Sequence, residues 1–180
     1  MLQLKIPDIE LYDELNNRFI TRKGTVLTME HSLLSLAKWE SKWHIPFLTE
    51  NDLTVDQTID YYRCMTITKN VNPDVYKNIT NDISKEINKY IDDPMTATWF
   101  NNVSNSQTDK TVITAEIIYY QMISLGIPFE CEKWHLNRLL TLIRVVSLKN
   151  SPPKKMSRDE AMAQQVRLNE ERKAKMKTNG

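Results

Sequence analysis

Few residues in this sequence could bind a metal ion or act as a nucleophile, since it holds two cysteines and three histidines. Cys131 and His135 are four residues apart, so on a helix both would lie on one face, with Cys64 or His44 available to complete a site. Zinc sites usually draw on paired ligands such as CxxC or HExxH, and neither pattern occurs. A Cys–His nucleophile lacks a recognisable orienting group or oxyanion donor. The sequence therefore predicts no metal site. It favours a buried thiol beside a histidine that bonds to a neighbouring backbone group.

Adjacent carboxylates and glycines are equally unpromising for catalysis. Asp92-Asp93 and Glu170-Glu171 would point in different directions on a helix, and a proline after the first pair is typical of a helix end. Only two glycines are internal, Gly24 and Gly126, and two cannot build a GxGxxG or GxxxxGK[ST] phosphate loop. We expect no catalytic residues, no cofactor and no enzyme activity. An enzyme stays as the weakest alternative, and it would need a concave site with converging titratable groups.

Charge is nearly balanced overall but uneven along the chain. The 24 Lys and Arg face 23 Asp and Glu, yet residues 151–180 carry a net charge of +4 and residues 1–150 a net charge of −3. We expect a compact domain over 1–150 and a basic, partly ordered helical tail over 151–180. Acidic residues are interspersed in the tail, and it has no aromatic residue to stack on bases. A solvated helix, or a segment that docks on an acidic partner surface, is therefore favoured over nucleic-acid binding. The sequence has no apolar run of 18 residues and no signal-like start, which predicts no membrane span and a cytosolic protein.

The pattern of apolar residues predicts an α+β, mainly helical fold. Residues 1–30 alternate apolar and polar side chains around Arg22-Lys23-Gly24, which predicts one N-terminal β-hairpin with Gly24 at a positive φ. Residues 31–150 should form a core of about five packed helices. Ser32 and Thr54 are placed to cap the first two, and Thr54 with Gln57 fits a capping box. A basic helical arm should follow Ser151-Pro152-Pro153.

The later helices are predicted from longer apolar stretches. Residues 111–126 are apolar nearly all round, which favours a central buried helix ending at Gly126. Residues 131–146 form a broad apolar stripe of about five turns, which predicts the longest helix of the core. Asn101–Lys110 is polar and aperiodic, which predicts an exposed loop.

Four tryptophans are candidates for either the core or a binding surface. Trp43 and Trp134 favour the core because of their positions on apolar stripes. Trp39 lies among charged neighbours, which predicts an exposed anchor for another chain, and Trp99-Phe100 precede the polar loop and could serve in the same way. In the tail, the basic residues that we expect to contact a partner are Lys154, Lys155, Arg158, Arg167, Arg172 and Lys173.

Several blocks carry a family resemblance, namely TMEHSLLSLAKWESKWHIPFL (28–48), DYYRCMTIT (60–68), YIDDPMTATWF (90–100) and IPFECEKWHLNRLLTLIRV (127–145), followed by PPKKMSR. They resemble small proteins from the structural-gene clusters of tailed bacteriophages of Gram-positive hosts. These in turn resemble the tail assembly chaperones of long-tailed phages, which are small and mostly helical, with an N-terminal β element and a polar C-terminal part.

The resemblance implies a non-enzymatic role in the host cytoplasm. Such a chaperone covers the long, helical tape measure protein through exposed apolar surface and then gives way to tail tube subunits. The implied partners are the tape measure and tail tube proteins, with a homo-oligomer as a further option and no membrane. The alternative is a virion structural protein of the neck or tail, acting as a connector.

Overall fold

The computed structural model describes residues 1–49, 52–100, 112–151 and 158–176. The chain divides into two units, Met1–Ser147 and Leu148–Gly180. The fold is α+β and mainly helical, as predicted, with four short strands preceding the helices. The predicted division between residues 150 and 151 stays a prediction.

The N-terminal strands form two separate two-stranded antiparallel sheets. Strand β1 (Leu2–Lys5) pairs with β4 (Val26–Met29), and between them in sequence β2 (Ile9–Asp13) pairs with β3 (Arg18–Arg22). The predicted single hairpin around residues 22–24 is therefore wrong. The chain reverses at residues 14–17 instead, where Asn17 adopts a φ of 47°, a conformation that asparagine tolerates better than most residues.

Gly24 is needed for close packing and not for a positive φ. A Cβ atom there would lie 2.0 Å from the backbone oxygen of Ile6 and 2.5 Å from that of Pro7. The Gly24 amide also donates to Asp8 Oδ1 at 2.7 Å. This glycine therefore lets the segment before β4 pass directly over the chain that follows β1.

The first two helices follow their capping signals. Helix α1 (Leu33–Trp43) begins after Ser32, whose hydroxyl accepts from the Ser35 amide, and ends at His44 with a φ of 56°. Helix α2 (Val55–Met65) begins with the predicted capping box between Thr54 and Gln57. These local signals therefore place both helices correctly.

Of the later helices, α4 is shorter than the sequence predicts and α5 begins and ends later. A 3-10 helix (Pro73–Asn78) leads to α3 (Asn81–Ile91), and α4 (Ala115–Ser124) ends before Gly126, which has a φ of 66°. The predicted long helix is divided into a 3-10 helix (Phe129–Lys133) and α5 (Leu136–Asn150). Helix α6 spans Arg158–Met176. The predicted loop at residues 101–110 lies outside the described residues.

The division before α5 has a specific cause. Trp134 is extended, His135 forms a β-bridge with Ser32, and the Leu136 amide donates to the His31 carbonyl at 2.7 Å. The backbone at this point therefore bonds to the segment before α1 and cannot continue a helix.

Two apolar clusters meet at α1. One joins β1 and β4 to α2 and α3 and includes Leu27, Trp39 and Tyr61. The other joins α1 to α4 and α5 and includes Leu36 and Ile118. Helix α1 is consequently buried on two sides.

Candidate functional site

Trp39 is a core residue, so its prediction as an exposed anchor is wrong. Its side chain is 0% exposed, and its indole N–H donates to the Gln57 carbonyl at 2.9 Å. The rings of Phe47 and Tyr61 lie 5.1 and 6.4 Å away. The charged neighbours were misleading because α1 packs on two sides, and one of those neighbours, Glu40, is itself buried.

Trp99 has the exposure that the sequence predicts. Its side chain is 86% exposed in the extended segment after α3. Phe100 is half-buried instead, with the Arg144 guanidinium 4.0 Å from its ring centre. Trp99 is therefore available for a contact, whereas Phe100 already packs within its own chain.

The structure describes part of the basic arm. Arg167, Arg172 and Lys173 are exposed on α6, and Arg167 Nε lies 3.4 Å from Glu171 Oε1, one turn away. Arg158 is the first residue of α6. Lys154 and Lys155 lie outside the described residues. Binding by Trp99, Phe100 and the arm stays a prediction.

The sequence analysis missed an exposed apolar surface on α4. Tyr120 and Ile123 are 69% and 62% exposed, and they lie one turn apart on the same side of the helix. Half-buried Tyr119 borders them, and its ring lies 6.3 Å from that of Phe129, which is 55% exposed. We call Tyr119, Tyr120, Ile123 and Phe129 the α4 stripe.

Residues 111–126, which are apolar nearly all round, predicted a helix buried on every side. The prediction is wrong for one side of α4, which is exposed. Ala115, Ile118 and Met122 are buried against α1 and α5, as a core helix requires. The exposed side of α4 carries Tyr120 and Ile123 beside the polar residues Glu116, Gln121 and Ser124. The signal available in the sequence was the excess of apolar residues over what one buried face needs.

Acidic residues border the α4 stripe. Glu116 lies one turn before Tyr120, Glu130 is exposed beside Phe129, and Glu132 accepts a hydrogen bond from the Tyr119 hydroxyl at 2.8 Å. Burial and this carboxylate raise the pKa of Tyr119, so its hydroxyl stays a neutral donor. The stripe therefore presents apolar side chains with negative charge around them.

Helix α4 is anchored to α1 by a buried carboxylate. Glu40 Oε2 accepts from the Ala115 amide at 2.7 Å, and Glu40 Oε1 accepts from the Phe47 amide at 2.9 Å. Thr114, the residue before α4, makes no side-chain capping bond. Glu40 thus takes the place of a local cap and places a negative charge at the helix N-terminus, where it is favourable.

A second polar cluster, the histidine junction, consists of Glu30, His31, Tyr61, Tyr90 and His135. His31 Nδ1 shares a 2.6 Å hydrogen bond with the Tyr61 hydroxyl, and the rings of His31 and His135 are 5.1 Å apart. The Tyr90 hydroxyl donates to Glu30 Oε1 at 2.6 Å, and His135 Nε2 bonds to the Tyr90 carbonyl at 2.9 Å. The junction thus joins α2, α3 and the start of α5 to the segment before α1.

The histidine junction has the properties of a structural network. Burial, with a smaller contribution from His135, lowers the pKa of His31 to about 3, so its imidazole is neutral at physiological pH. Among the residues that the structure describes, none bonds to the buried Nδ1 atom of His135. A neutral imidazole held by a tyrosine hydroxyl orients the elements around it.

A cleft of about 480 Å³ lies beside the junction, and two of the charged side chains that line it, Glu30 and Arg138, already have partners. The Arg138 guanidinium lies 4.4 Å from the Trp134 ring centre, and the Glu30 carboxylate accepts from Tyr90. Burial raises the pKa of the thiols of Cys64 and Cys131, which disfavours reactive thiolates. Among the described residues, no group of three His, Cys, Asp or Glu side chains could hold a metal ion.

Comparison with known proteins gives no relative. No family model, curated protein or solved structure matches the chain. Of the helices in the described parts of the chain, none is long and apolar enough to cross a membrane.

Proposed function

We propose that this chain is a non-enzymatic tail assembly chaperone of a long-tailed bacteriophage, acting in the host cytoplasm. It covers apolar helical segments of the tape measure protein and later yields them to tail tube subunits. The proposal combines the sequence blocks that resemble phage structural-cluster proteins with one structural observation, the exposed α4 stripe.

The α4 stripe suits a helical partner. Tyr120 and Ile123 lie one turn apart on α4, and Phe129 adds an exposed ring from the 3-10 helix that follows, so a second helix can pack alongside them. Covering Tyr120, Ile123 and Phe129 would each contribute roughly 1 to 2 kcal/mol, because about half of each side chain is exposed in the free chain. Together these give about 3 to 6 kcal/mol, which does not exceed the roughly 4 to 15 kcal/mol that association costs, so this contact alone is weak and reversible.

Charge narrows the choice of partner segment. The acidic border formed by Glu116, Glu130 and Glu132 favours an apolar stripe flanked by Lys or Arg. On α6, Arg167, Arg172 and Lys173 offer the opposite charge to acidic stretches of the same long partner. Trp99 adds an exposed aromatic contact.

Co-purification with the tape measure protein tests the proposal. Ile123→Lys should reduce the amount captured by about tenfold, because it places a charge in the apolar stripe. Leu148→Lys is the matched control, since Leu148 is also more than half exposed near the end of a helix. Equal capture by wild type and Ile123→Lys contradicts the proposed binding surface.

Mass spectrometry of purified phage separates the chaperone from a neck or tail component. A chaperone is left behind when the tail matures, so the chain should be absent from virions. Many copies per particle would favour a virion connector and overturn the chaperone assignment.

A further inference from the structure

Two cavities adjoin each other beside the histidine junction. One is the cleft of about 480 Å³, and the other, of about 320 Å³, lies between α1 and the end of α2. Glu30, Ile67 and Lys133 line both cavities, so the two meet along these residues. We call this combined surface the junction groove. It shares no residue with the α4 stripe.

The charged side chains that line the junction groove are mostly positive. Lys38 lies at the α1 end, Lys133 lies in the shared middle, and Arg138 lies at the other end over the Trp134 ring. All three cations are exposed, and none of them forms an ion pair with another residue in the described parts of the chain. Among the described residues that line the groove, the only acid is Glu30.

The acids at the groove do not balance these cations. The Glu30 carboxylate accepts from the Tyr90 hydroxyl at 2.6 Å and lies 3.0 Å from the Met1 amino group, which offsets its charge. Asp93 accepts from the amide of Met95, another lining residue, at 2.7 Å, so it offsets at most one of the three cations. The groove therefore keeps a positive charge, although residues 1–150 carry a net charge of −3.

An exposed apolar side chain lies in the middle of the groove. Ile67 lines both cavities and is 52% exposed, and Met95 at one end is 38% exposed. A ligand that matches this surface carries an aliphatic group between negative charges. Nucleic acid matches it less well, because Arg138 covers one face of the Trp134 ring and Tyr90 is buried, which leaves little aromatic surface for stacking bases.

We propose that the junction groove binds an acidic peptide segment of a partner protein. An aliphatic side chain of the peptide covers Ile67, and its carboxylates pair with Lys38, Lys133 and Arg138. Ion pairs with exposed side chains are individually weak and are screened by salt, so binding should be modest in affinity and should weaken as the salt concentration rises. This proposal does not rest on the chaperone function.

Fluorescence anisotropy of the whole chain with a short labelled peptide, in which one Leu lies between pairs of Glu, tests the proposal. The wild-type chain should bind this peptide at low salt. The same peptide with Gln in place of Glu should bind at least about tenfold more weakly, because it lacks the carboxylates. A labelled oligothymidylate should also bind more weakly than the Glu peptide.

Substitutions locate the binding surface. Lys133→Glu should weaken binding of the Glu peptide by roughly five- to tenfold, because an attractive charge in the middle of the groove becomes repulsive. Lys23→Glu is the matched control: it changes the net charge equally, and Lys23 is exposed before β4, at the opposite end of that strand from Glu30. Ile67→Ser should weaken binding by about threefold through the lost apolar contact.

Four results would overturn the proposal. They are no binding of the Glu peptide by the wild-type chain, equal binding of the Glu and Gln peptides, equal effects of Lys133→Glu and Lys23→Glu, and tighter binding of oligothymidylate than of the Glu peptide. Ile123→Lys should bind the Glu peptide normally, which separates this test from that of the α4 stripe.

Discussion

Acid should destabilise this protein through His31. The imidazole is buried at 2% exposure, shares a hydrogen bond with the Tyr61 hydroxyl, and faces the ring of His135. Burial is the main reason that the pKa of His31 falls from 6.5 to about 3 in the folded chain. Glu30 and Tyr90 complete the junction through their own 2.6 Å hydrogen bond. Protonation would place a charge among these side chains without a solvent shell.

The sign and size of the effect follow from proton linkage. Below pH 6.5 the unfolded chain binds a proton at His31 that the folded chain does not, so stability is lost as the pH falls from 6.5 towards 3. Between neutral pH and about pH 4.5, His31 alone should lower the free energy of unfolding by roughly 2 to 3 kcal/mol. This is a substantial fraction of the stability of a typical domain.

Urea unfolding followed by tryptophan fluorescence, at neutral pH and at about pH 4.5, measures this loss. Carboxylates contribute to acid sensitivity in every variant, so the informative quantity is the difference between wild type and His31→Gln, which lacks the titrating group. His31→Gln should lose roughly 2 to 3 kcal/mol less than wild type. His44→Asn is the control: His44 is exposed at a φ of 56°, which asparagine tolerates, and this variant should lose as much as wild type.

Two results would refute this reasoning about His31. One is an equal acid-induced loss in wild type and His31→Gln. The other is direct: an NMR titration in which the His31 imidazole gains a proton near pH 6.5 while the chain stays folded. The titration uses the wild-type chain, so it remains decisive even if His31→Gln folds poorly.

Five further substitutions test the packing by chemical unfolding. Glu40→Ala should destabilise the chain by about 2 to 4 kcal/mol because two amides lose their acceptor, and a loss below about 0.5 kcal/mol would show that water replaces the carboxylate. Gly126→Ala should destabilise the chain by roughly 1 to 2 kcal/mol, and Gly24→Ala should destabilise it by more, because only Gly24 has backbone atoms within 4 Å of the added Cβ. A smaller loss for Gly24→Ala than for Gly126→Ala would contradict the close packing of Gly24 against Ile6 and Pro7. Trp39→Ala should lower the free energy of unfolding by about 3 to 5 kcal/mol, and Trp99→Ala by less than about 0.5 kcal/mol, because Trp39 is 0% exposed and Trp99 is 86% exposed. Similar losses in the two variants would contradict the burial of Trp39.

The features that were predictable from the sequence are those specified by neighbouring residues. Ser32 and the pair Thr54 and Gln57 mark the starts of α1 and α2, because a cap needs only a side chain and an amide within one turn. Asp92 follows α3 and Gly126 follows α4, as predicted. The helix boundaries that were predicted correctly are therefore mostly those set by local hydrogen bonds.

The features that could not be predicted depend on contacts distant in sequence. Strand β1 pairs with β4, and β2 pairs with β3 between them. The alternation of apolar and polar residues within each strand is the same for this pairing and for the predicted single hairpin, so it cannot distinguish them. The interruption at His135 depends on hydrogen bonds to the segment before α1. The spacing of apolar residues within 131–146 contains no information about those hydrogen bonds.

The candidate surface shows the same limit. Trp39 and Tyr120 each lie on a helix that carries both polar and apolar side chains. Whether each is exposed depends on which faces of its helix are covered by other helices. Helix α1 is covered on two sides, so Trp39 is buried, while α4 is covered on one side, so Tyr120 is exposed. Helical periodicity identifies a face but not the element that packs on it.

Photo-crosslinking in infected cells tests the central proposal most directly. A photoreactive phenylalanine derivative in place of Tyr120 puts the reactive group on the α4 stripe, and the same derivative in place of exposed Val55 on α2 is the control. We predict a crosslink from position 120 to the tape measure protein and none from position 55. Crosslinking at position 55 but not 120, or no crosslink to the tape measure protein from either, would contradict the account.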